Sequence, residues 1–531
     1  MRTINWIKVS LGLATIAALV EGAGCYHAST DCDLFACASG TGTGAGSTSS
    51  STTGTGGGGA PNCQGDPSEE NVIDACGVFV QADASGTTED GTQAHPYTTL
   101  QNAIDNAGTK RVYACASAPY VEAVTIAAPV EMFGGFECMK GWAWKANGRS
   151  ALHGPAGAVA LTLTKQGDGS KVQGFAITST NASAKGESSV AVAVDAIAAM
   201  LISCEVTAGD GMAGEDGVTP AGTATKGTDA SLPDAATMNA CINPNALVGG
   251  APGTLMCDDG ITAGGQGGKG GLIVAMSIED GKSGADGTLA DAVNGAGGAG
   301  ESVTKCVVGT PGKDGDDGSV GDAGNSPGAV SLKGISDTNM TDGKPGTRGN
   351  GGGGGGGAKS GLLLCAGGVD GNGASGGGGA AGGCGGKGGG GGKAGGSSIA
   401  IVSLGTKLVM TNVVLKTGKG GAGGKGVGGQ SGGAFGLGAI GGAASGGVKA
   451  GCQGGNGGAG GLGGPGGGGR GGHSVGIAYA SAPTAPPIFK GFMGGTEGPG
   501  GTAGPGNATG NGASGAKGAC WDFSKNASCT Q

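Results

Sequence analysis

Pro96-Tyr97-Thr98-Thr99-Leu100-Gln101-Asn102-Ala103-Ile104-Asp105-Asn106-Ala107-Gly108 is the stretch on which the fold turns. It reads as one short helix with both ends marked. Thr98 and Gln101 stand at capping-box spacing, so each side chain can satisfy a donor at the helix end. Leu100, Ala103, Ile104 and Ala107 fall on one face, and Gly108 suits a left-handed C-terminal cap. Strand-like runs follow: Arg111 to Cys115, Tyr120 to Ile126, Val130 to Phe136, Val159 to Leu163, Val172 to Ile177, Val190 to Val194 and Met200 to Val206. They are short, rich in Val and Ile, and punctuated by Gly, Pro or Asn. No long amphipathic helix separates them, which argues against α/β winding. A sandwich or a coiled parallel solenoid remains. Leu100, Ile104, Val112, Tyr113, Val124, Ile126, Phe133 and Phe136 are expected to form its N-terminal core beneath the helix.

Asp90-Gly91-Thr92, Pro96 to Leu100, Ala103-Ile104, Ala107, Val112-Tyr113 and Tyr120 to Ile126 resemble the opening of pectate-lyase-like right-handed parallel β-helices. The resemblance covers about 130 residues. It implies an all-β fold, a right-handed parallel β-helix whose open end is closed by an N-terminal capping helix. Without that helix the first rung would expose apolar side chains and a bare strand edge. The family includes polysaccharide lyases and hydrolases, which cluster acids and bases on one face. Here Glu122, Glu131 and Glu205 sit singly among apolar residues and read as outward, solvated side chains. No catalytic residue carries over.

Composition sets the second half apart. Gly supplies 133 of 531 residues, aromatics 3% and charged residues 13%, so a conventional core can form only where apolar residues cluster. The net charge of −9 argues against nucleic acid as a partner. Arg2 and Lys8 precede the apolar stretch Val9 to Val20, which is too short to span a bilayer. With Gly22-Ala23-Gly24-Cys25 behind it, residues 1–24 read as an export signal, and Cys25 as a lipidation site resembling a bacterial lipobox. The alternative is ordinary cleavage with Cys25 in a disulfide. Residues 25–62, with their Ser/Thr/Gly run, read as a tether. Residues 72–207 are the N-terminal part of the β-helix, and 208–531 the glycine-rich region. In an exported chain the sixteen cysteines read as disulfides, with Cys520 and Cys529 a local pair. If Cys25 carries lipid, fifteen remain and one thiol is left over.

The glycine tracts have a grammar. Ser397 to Leu415 enters an excursion that returns through Gly471 to Ala478. Ser188 to Val206 reads as an earlier copy, and Leu272-Ile273-Val274 as a degenerate one. Within the tracts spacing is often three: Lys419, Ala422 and Lys425, or Gln453, Asn456, Ala459, Leu462 and Pro465, with Gly pairs between. A polyproline-II-type helix has three residues per turn. Gly-Gly-X therefore puts every X on one edge and leaves two glycine edges for close approach. The expectation is polyproline-II-type excursions between later rungs, held by backbone hydrogen bonds and disulfides instead of an apolar core. The pattern resembles the polyglycine bundles of phage tail-fibre tip adhesins, Gly-rich antifreeze bundles and PGRS-like proteins. A flexible linker is the competing reading.

Other motifs are discounted. Gly281-Lys282-Ser283 has Met276 where a phosphate loop needs Gly, and G-x-G-x-x-G is expected by chance in such a composition. Asp314, Asp316, Asp317 and Asp322 match no calcium loop, and four scattered histidines offer no zinc spacing. No cofactor and no metal are expected. The functional expectation is a non-catalytic, exported cell-surface or envelope protein anchored by lipid alone. Its partners would be extracellular polysaccharide, matrix or cell-surface components. The alternatives are a carbohydrate-active enzyme on the same scaffold and a ligand-binding module.

Overall fold

Val- and Ile-rich runs too short to make a core alone bury their faces by stacking on one another. In the computed structural model, which describes residues 61–69, 71–86, 88–336 and 341–529, they assemble into three sheets whose successive strands pair in parallel. The regular secondary structure is mostly strand, with few helical residues. The expected signal, nearly all of the tether and Cys25 lie outside the described residues. The first sheet holds, in spatial order, Gly77–Val80, Arg111–Cys115, Glu131–Glu137, Ser170–Gln173, Ala199–Ile202 and Leu408–Thr411. The second holds Tyr120–Val121, Ser150–His153, Phe175–Thr178, Glu205–Thr207, Val414–Lys416 and Gly491–Met493. The third holds Val124–Ile126, Leu161–Leu163, Ser189–Val194, Ser398–Ser403, Ser474–Tyr479 and Lys517–Asp522, closed by antiparallel Ala527–Ser528. From Arg111 to Tyr479 the chain visits first, second and third sheet in rotation, and side chains from all three share one core.

Three of the expected strands, Tyr120 to Ile126, Val172 to Ile177 and Met200 to Val206, are each split between two sheets. The second and third splits fall at corner residues with positive φ: Gly174 (φ 73°) and Ser203 (φ 52°), followed one rung on by Asn412 (φ 56°). Asn412 Nδ2 donates to Ser203 Oγ at 3.0 Å, tying successive corners together.

The helix runs Leu100–Ala107, capped by Thr99, whose side chain accepts from the Asn102 N–H. The expected Thr98–Gln101 box does not form. Thr98 bonds to Glu89 instead, and Gln101 faces the first strand of the third sheet. There its amide donates to the Thr125 carbonyl at 3.1 Å and accepts from the Thr125 N–H at 2.7 Å, as a neighbouring strand would. The helix N-terminus is held by Glu122, whose carboxylate accepts from the N–H groups of Leu100 (2.7 Å) and Gln101 (3.1 Å). All three acids have partners, although Glu131 stays 44% exposed. Glu131 pairs with Arg111 at 2.9 Å, and Glu205 with Lys416 and Arg149.

The eight expected core residues are all buried, but they divide. Leu100, Ile104, Val112, Val124 and Ile126 lie in the main core beneath the helix. Tyr113 and Phe133 point to the opposite face of the first sheet because strand side chains alternate, and a register shift at Gly134–Gly135 (Gly135 φ 89°) turns Phe136 to that face as well. There they pack with Phe79, Trp142 and the Cys115–Cys138 disulfide. Tyr113 Oη donates to the Asn71 carbonyl at 2.7 Å.

Every long glycine excursion leaves at one corner, between a second-sheet strand and the next third-sheet strand: 208–397, 417–473 and 494–516. The two sequence copies stack directly, Ser189 against Ser398, Ala199 against Leu408 and Glu205 against Val414. Leu272 to Val274 is no copy. Ile273–Val274 forms an antiparallel hairpin with Ser277–Ile278, as do Thr254–Cys257 with Gly260–Ala263, Ala329–Ser331 with Gly334–Ser336, and Gly361–Cys365 with Val369–Gly371.

Tract 451–472 shows how the excursions are held. N–H groups of Gly457, Gly460, Gly463 and Gly466 donate to the carbonyls of Gly436, Gly433, Gln430 and Val427. Those of Gly458, Gly461 and Gly464 donate to Asn350, Thr347 and Lys344. Carbonyls of Asn456, Ala459, Leu462 and Pro465 accept from Gly312, Gly315, Gly318 and Gly321. The period is three throughout. A Cβ added at Gly457 would overlap the Ala381 carbonyl, and one at Gly458 that of Lys313.

Candidate functional site

The tracts run out from the sheets and turn back at their far ends. Near the sheets Gly418 donates to Ala208, whereas Ala240 donates to Ala443 at the far turn. Three turns meet at that end around Ser360. Its N–H donates to the Glu279 carbonyl (3.2 Å), and its Oγ donates to the Leu272 carbonyl (2.8 Å) and accepts from the Glu279 N–H (3.0 Å). Lys359 reaches Asp280 at 2.6 Å, and its N–H reaches Glu301 Oε2 at 3.1 Å. Lys449 joins Glu301 at 2.5 Å. The hairpins 273–278 and 361–371 and the turn at 301–306 therefore share one polar base.

Above this base the side chains are large and apolar. Leu362, Leu363, Leu364 and Val369 on one hairpin, Val274, Met276 and Ile278 on the other, and Val303 on the turn are all exposed, Met276 by 80% and Val303 fully. Exposed apolar groups gathered at one place mark a contact surface. The backbone is also strained there. Leu363 (φ 55°), Met276 (φ 65°) and Ala275 (φ 49°) occupy the left-handed region, at a cost of about 1 kcal/mol or more each. Cys241–Cys365 and Cys306–Cys452 crosslink the loops to neighbouring tracts, and Cys257–Cys384 crosslinks the tracts lower down. The site went unread in the sequence. Its signal was the Leu362-Leu363-Leu364-Cys365 run, isolated between glycine tracts.

The other singled-out residues have structural employment. Asp314 and Asp317 are exposed but lie in a tract, not a turn: their carboxylates accept the N–H groups of Ala459 and Leu462 at 2.7 Å, closing donors on the exposed X edge. Asp216 does the same for Lys425. No group of three or more metal-ligating side chains occurs among the described residues. His473 is buried. Its Nδ1 accepts from the Ala516 N–H at 2.9 Å, so Nε2 carries the proton and donates to the Pro327 carbonyl at 3.1 Å. Burial, reinforced by the Arg470 charge, pulls its pKa down to about 4.

Cys520 is bonded to Cys529, and Cys63 to Cys76. The six disulfides among the described residues indicate an oxidising environment. Cys204 is a buried thiol whose pKa burial pushes up to about 11. Among the described residues no helix is long and apolar enough to cross a membrane. Comparison with family models, with curated proteins and with solved structures returns no match.

Proposed function

We propose that the chain is a non-catalytic, exported surface protein that holds an adhesive loop cluster away from its anchor. In this reading the rotating sheets are a right-handed parallel β-helix, and the tracts are polyproline-II-type helices packed as one bundle. At roughly 3.1 Å per residue a tract such as 418–442 reaches about 75 Å. The observation that carries the reading is the far-end cluster: exposed Leu362 to Leu364, Met276 and Val303 on a disulfide-pinned, strained base. A bundle so long, with a cluster of exposed apolar residues at its tip, suits contact with another surface or matrix.

Lipid anchoring at Cys25 is supported by cysteine parity. Six disulfides use twelve of the sixteen cysteines and Cys204 is a thiol, leaving Cys25, Cys32 and Cys37 outside the described residues. An odd set leaves one without an intramolecular partner, and Cys25 is the one with small residues before it. Mass spectrometry of the mature N-terminus should find acylated Cys25, and an unmodified N-terminus at another residue refutes the anchor. For the tip, the secreted form lacking residues 1–24 is screened against glycans, matrix polymers and whole cells. Leu363→Asp with Met276→Asp should abolish any binding found while leaving the melting transition unchanged. Binding that survives both substitutions moves recognition elsewhere. Release of reducing ends from any polysaccharide in the screen would favour the enzymatic alternative.

A further inference from the structure

The bundle contains a slot that the chain itself shows how to fill. Tract 264–271 lies between 352–358 and 373–379. Its Gly265, Gly268 and Gly271 donate to the carbonyls of Gly352, Gly355 and Ala358, and accept from Gly379, Gly376 and Gly373. The next rung is taken by the buried Thr262 hydroxyl, which donates to the Gly349 carbonyl at 3.0 Å and accepts from the Gly382 N–H at 2.9 Å. There the chain turns away into the hairpin 254–263. Two further rungs follow in the same series, the Gly385 N–H with the Gly346 carbonyl and the Gly388 N–H with the Gly343 carbonyl. Among the described residues nothing bonds to any of the four. The series closes at Gly391, whose N–H donates to Asp342 Oδ1 at 2.8 Å.

These open rungs line a groove of about 680 Å³, with Ala221 to Thr225 on one wall and Met256 to Asp259 at one end. Between Gly217, which donates to Lys425, and Gly227, which donates to Ala434, this wall has one residue more than the tract beside it, with Gly222 at φ 72°. The Gln430 side chain accepts from Lys387 N–H (3.1 Å) and donates to the Ala221 carbonyl (3.1 Å). Backbone donors and acceptors therefore alternate at three-residue spacing along a slot two triplets long, roughly 19 Å.

We propose that this groove binds an extended glycine-rich peptide from another polypeptide. The occupant runs parallel to 343–346, with glycine wherever it faces 385–388. The glycine requirement follows from the template, because a Cβ at Gly264, Gly267 or Gly270 would overlap the carbonyl of Gly379, Gly376 or Gly373. Residues at the third position face solvent, as Gln266 and Lys269 do. We assign the segment to a different chain, since the described Gly-Gly-X tracts of this chain are already engaged in the bundle. Main-chain pairing would supply affinity and the glycine phase specificity, as in strand addition to a sheet edge.

The probe is the capped octapeptide Gly-Gly-Gln-Gly-Gly-Lys-Gly-Gly, copied from residues 264–271. Calorimetric titration into the mature protein should give saturable binding with Kd below about 1 mM. Amide exchange at Gly385 and Gly388 should slow on addition, while exchange at exposed Leu363 is unchanged. A peptide with alanine at the positions of Gly264, Gly267 and Gly270 should bind at least tenfold more weakly, and Ala224→Trp, which fills the groove, should do likewise. Absence of saturation, equal binding of the alanine peptide, or unchanged exchange at both glycines overturns the proposal. Should the tryptophan variant fail to fold, the exchange and alanine-peptide results on the unaltered protein decide.

Discussion

Glu122 shows how a single residue can be misread when its partner is distant in sequence. It stands alone among apolar neighbours, where an acid reads as solvated. The rotation of the chain brings it to the N-terminus of the helix, where its carboxylate accepts two end donors. Glu122→Ala should cost roughly 1 kcal/mol as a lost cap, seen as a lower urea midpoint with an unchanged slope, whereas Glu122→Gln should cost less. His473 carries a pH-dependent term. In the folded chain its pKa is held at about 4, against about 6.5 when unfolded. Above pH 6.5 both states are neutral and the residue contributes nothing to the pH dependence. Below it the unfolded chain takes up a proton that the folded chain refuses, so stability falls as pH drops from 6.5 and levels off below about 4. The loss is about 3 kcal/mol. Urea titrations at pH 7 and pH 4 should show it, and His473→Gln should remove that part of the difference.

The tracts show which elements were legible. Three-residue spacing in the sequence pointed to helices packed through glycine edges, and the hydrogen bonds repeat at that spacing. The glycine content of each triplet also follows its surroundings. Gly351 to Gly357 carries no side chain and is buried throughout. Tract 453–465 keeps one side chain per triplet, facing outward, and its third position becomes Gly468 and Gly471 where tract 510–515 packs against it. Tract 309–324, at the edge, needs only one glycine in three. The hairpins and the corner splits were not legible, because they depend on where a tract must reverse and on left-handed residues such as Ser203, which has no local signature. Gly457→Val should disrupt the bundle, since its Cβ meets backbone that cannot move aside. The matching control is Leu462→Ser on the exposed edge. Asn456 is a poorer control because its Oδ1 accepts the Gly438 N–H at 3.0 Å. Thermal unfolding should shift by several degrees or more for the valine variant and by about a degree or less for the serine variant.

At the scale of the molecule, three sheets provide an apolar core and the excursions provide a second body with hardly any. The three sheets continue across residues 207–208, since Ser398–Ser403 and Ser474–Tyr479 extend the sheet begun by Val124–Ile126. Prolines 483, 486 and 487 stand where the chain would next return to the first sheet, and a residue without an N–H suits a place where strand addition must stop. Disulfides spanning 124, 127 and 146 residues restrict the unfolded chain most in the region whose apolar core is thinnest. The central claim is that the glycine tracts are one ordered, hydrogen-bonded bundle and so can present loops at a fixed distance. Residue-resolved amide exchange across 341–358, 372–396 and 418–472 tests it most directly. Slow exchange at Gly457, Gly460 and Gly463, with fast exchange at fully exposed Val303, is the predicted result; exchange at free-peptide rates through all three tracts would contradict it.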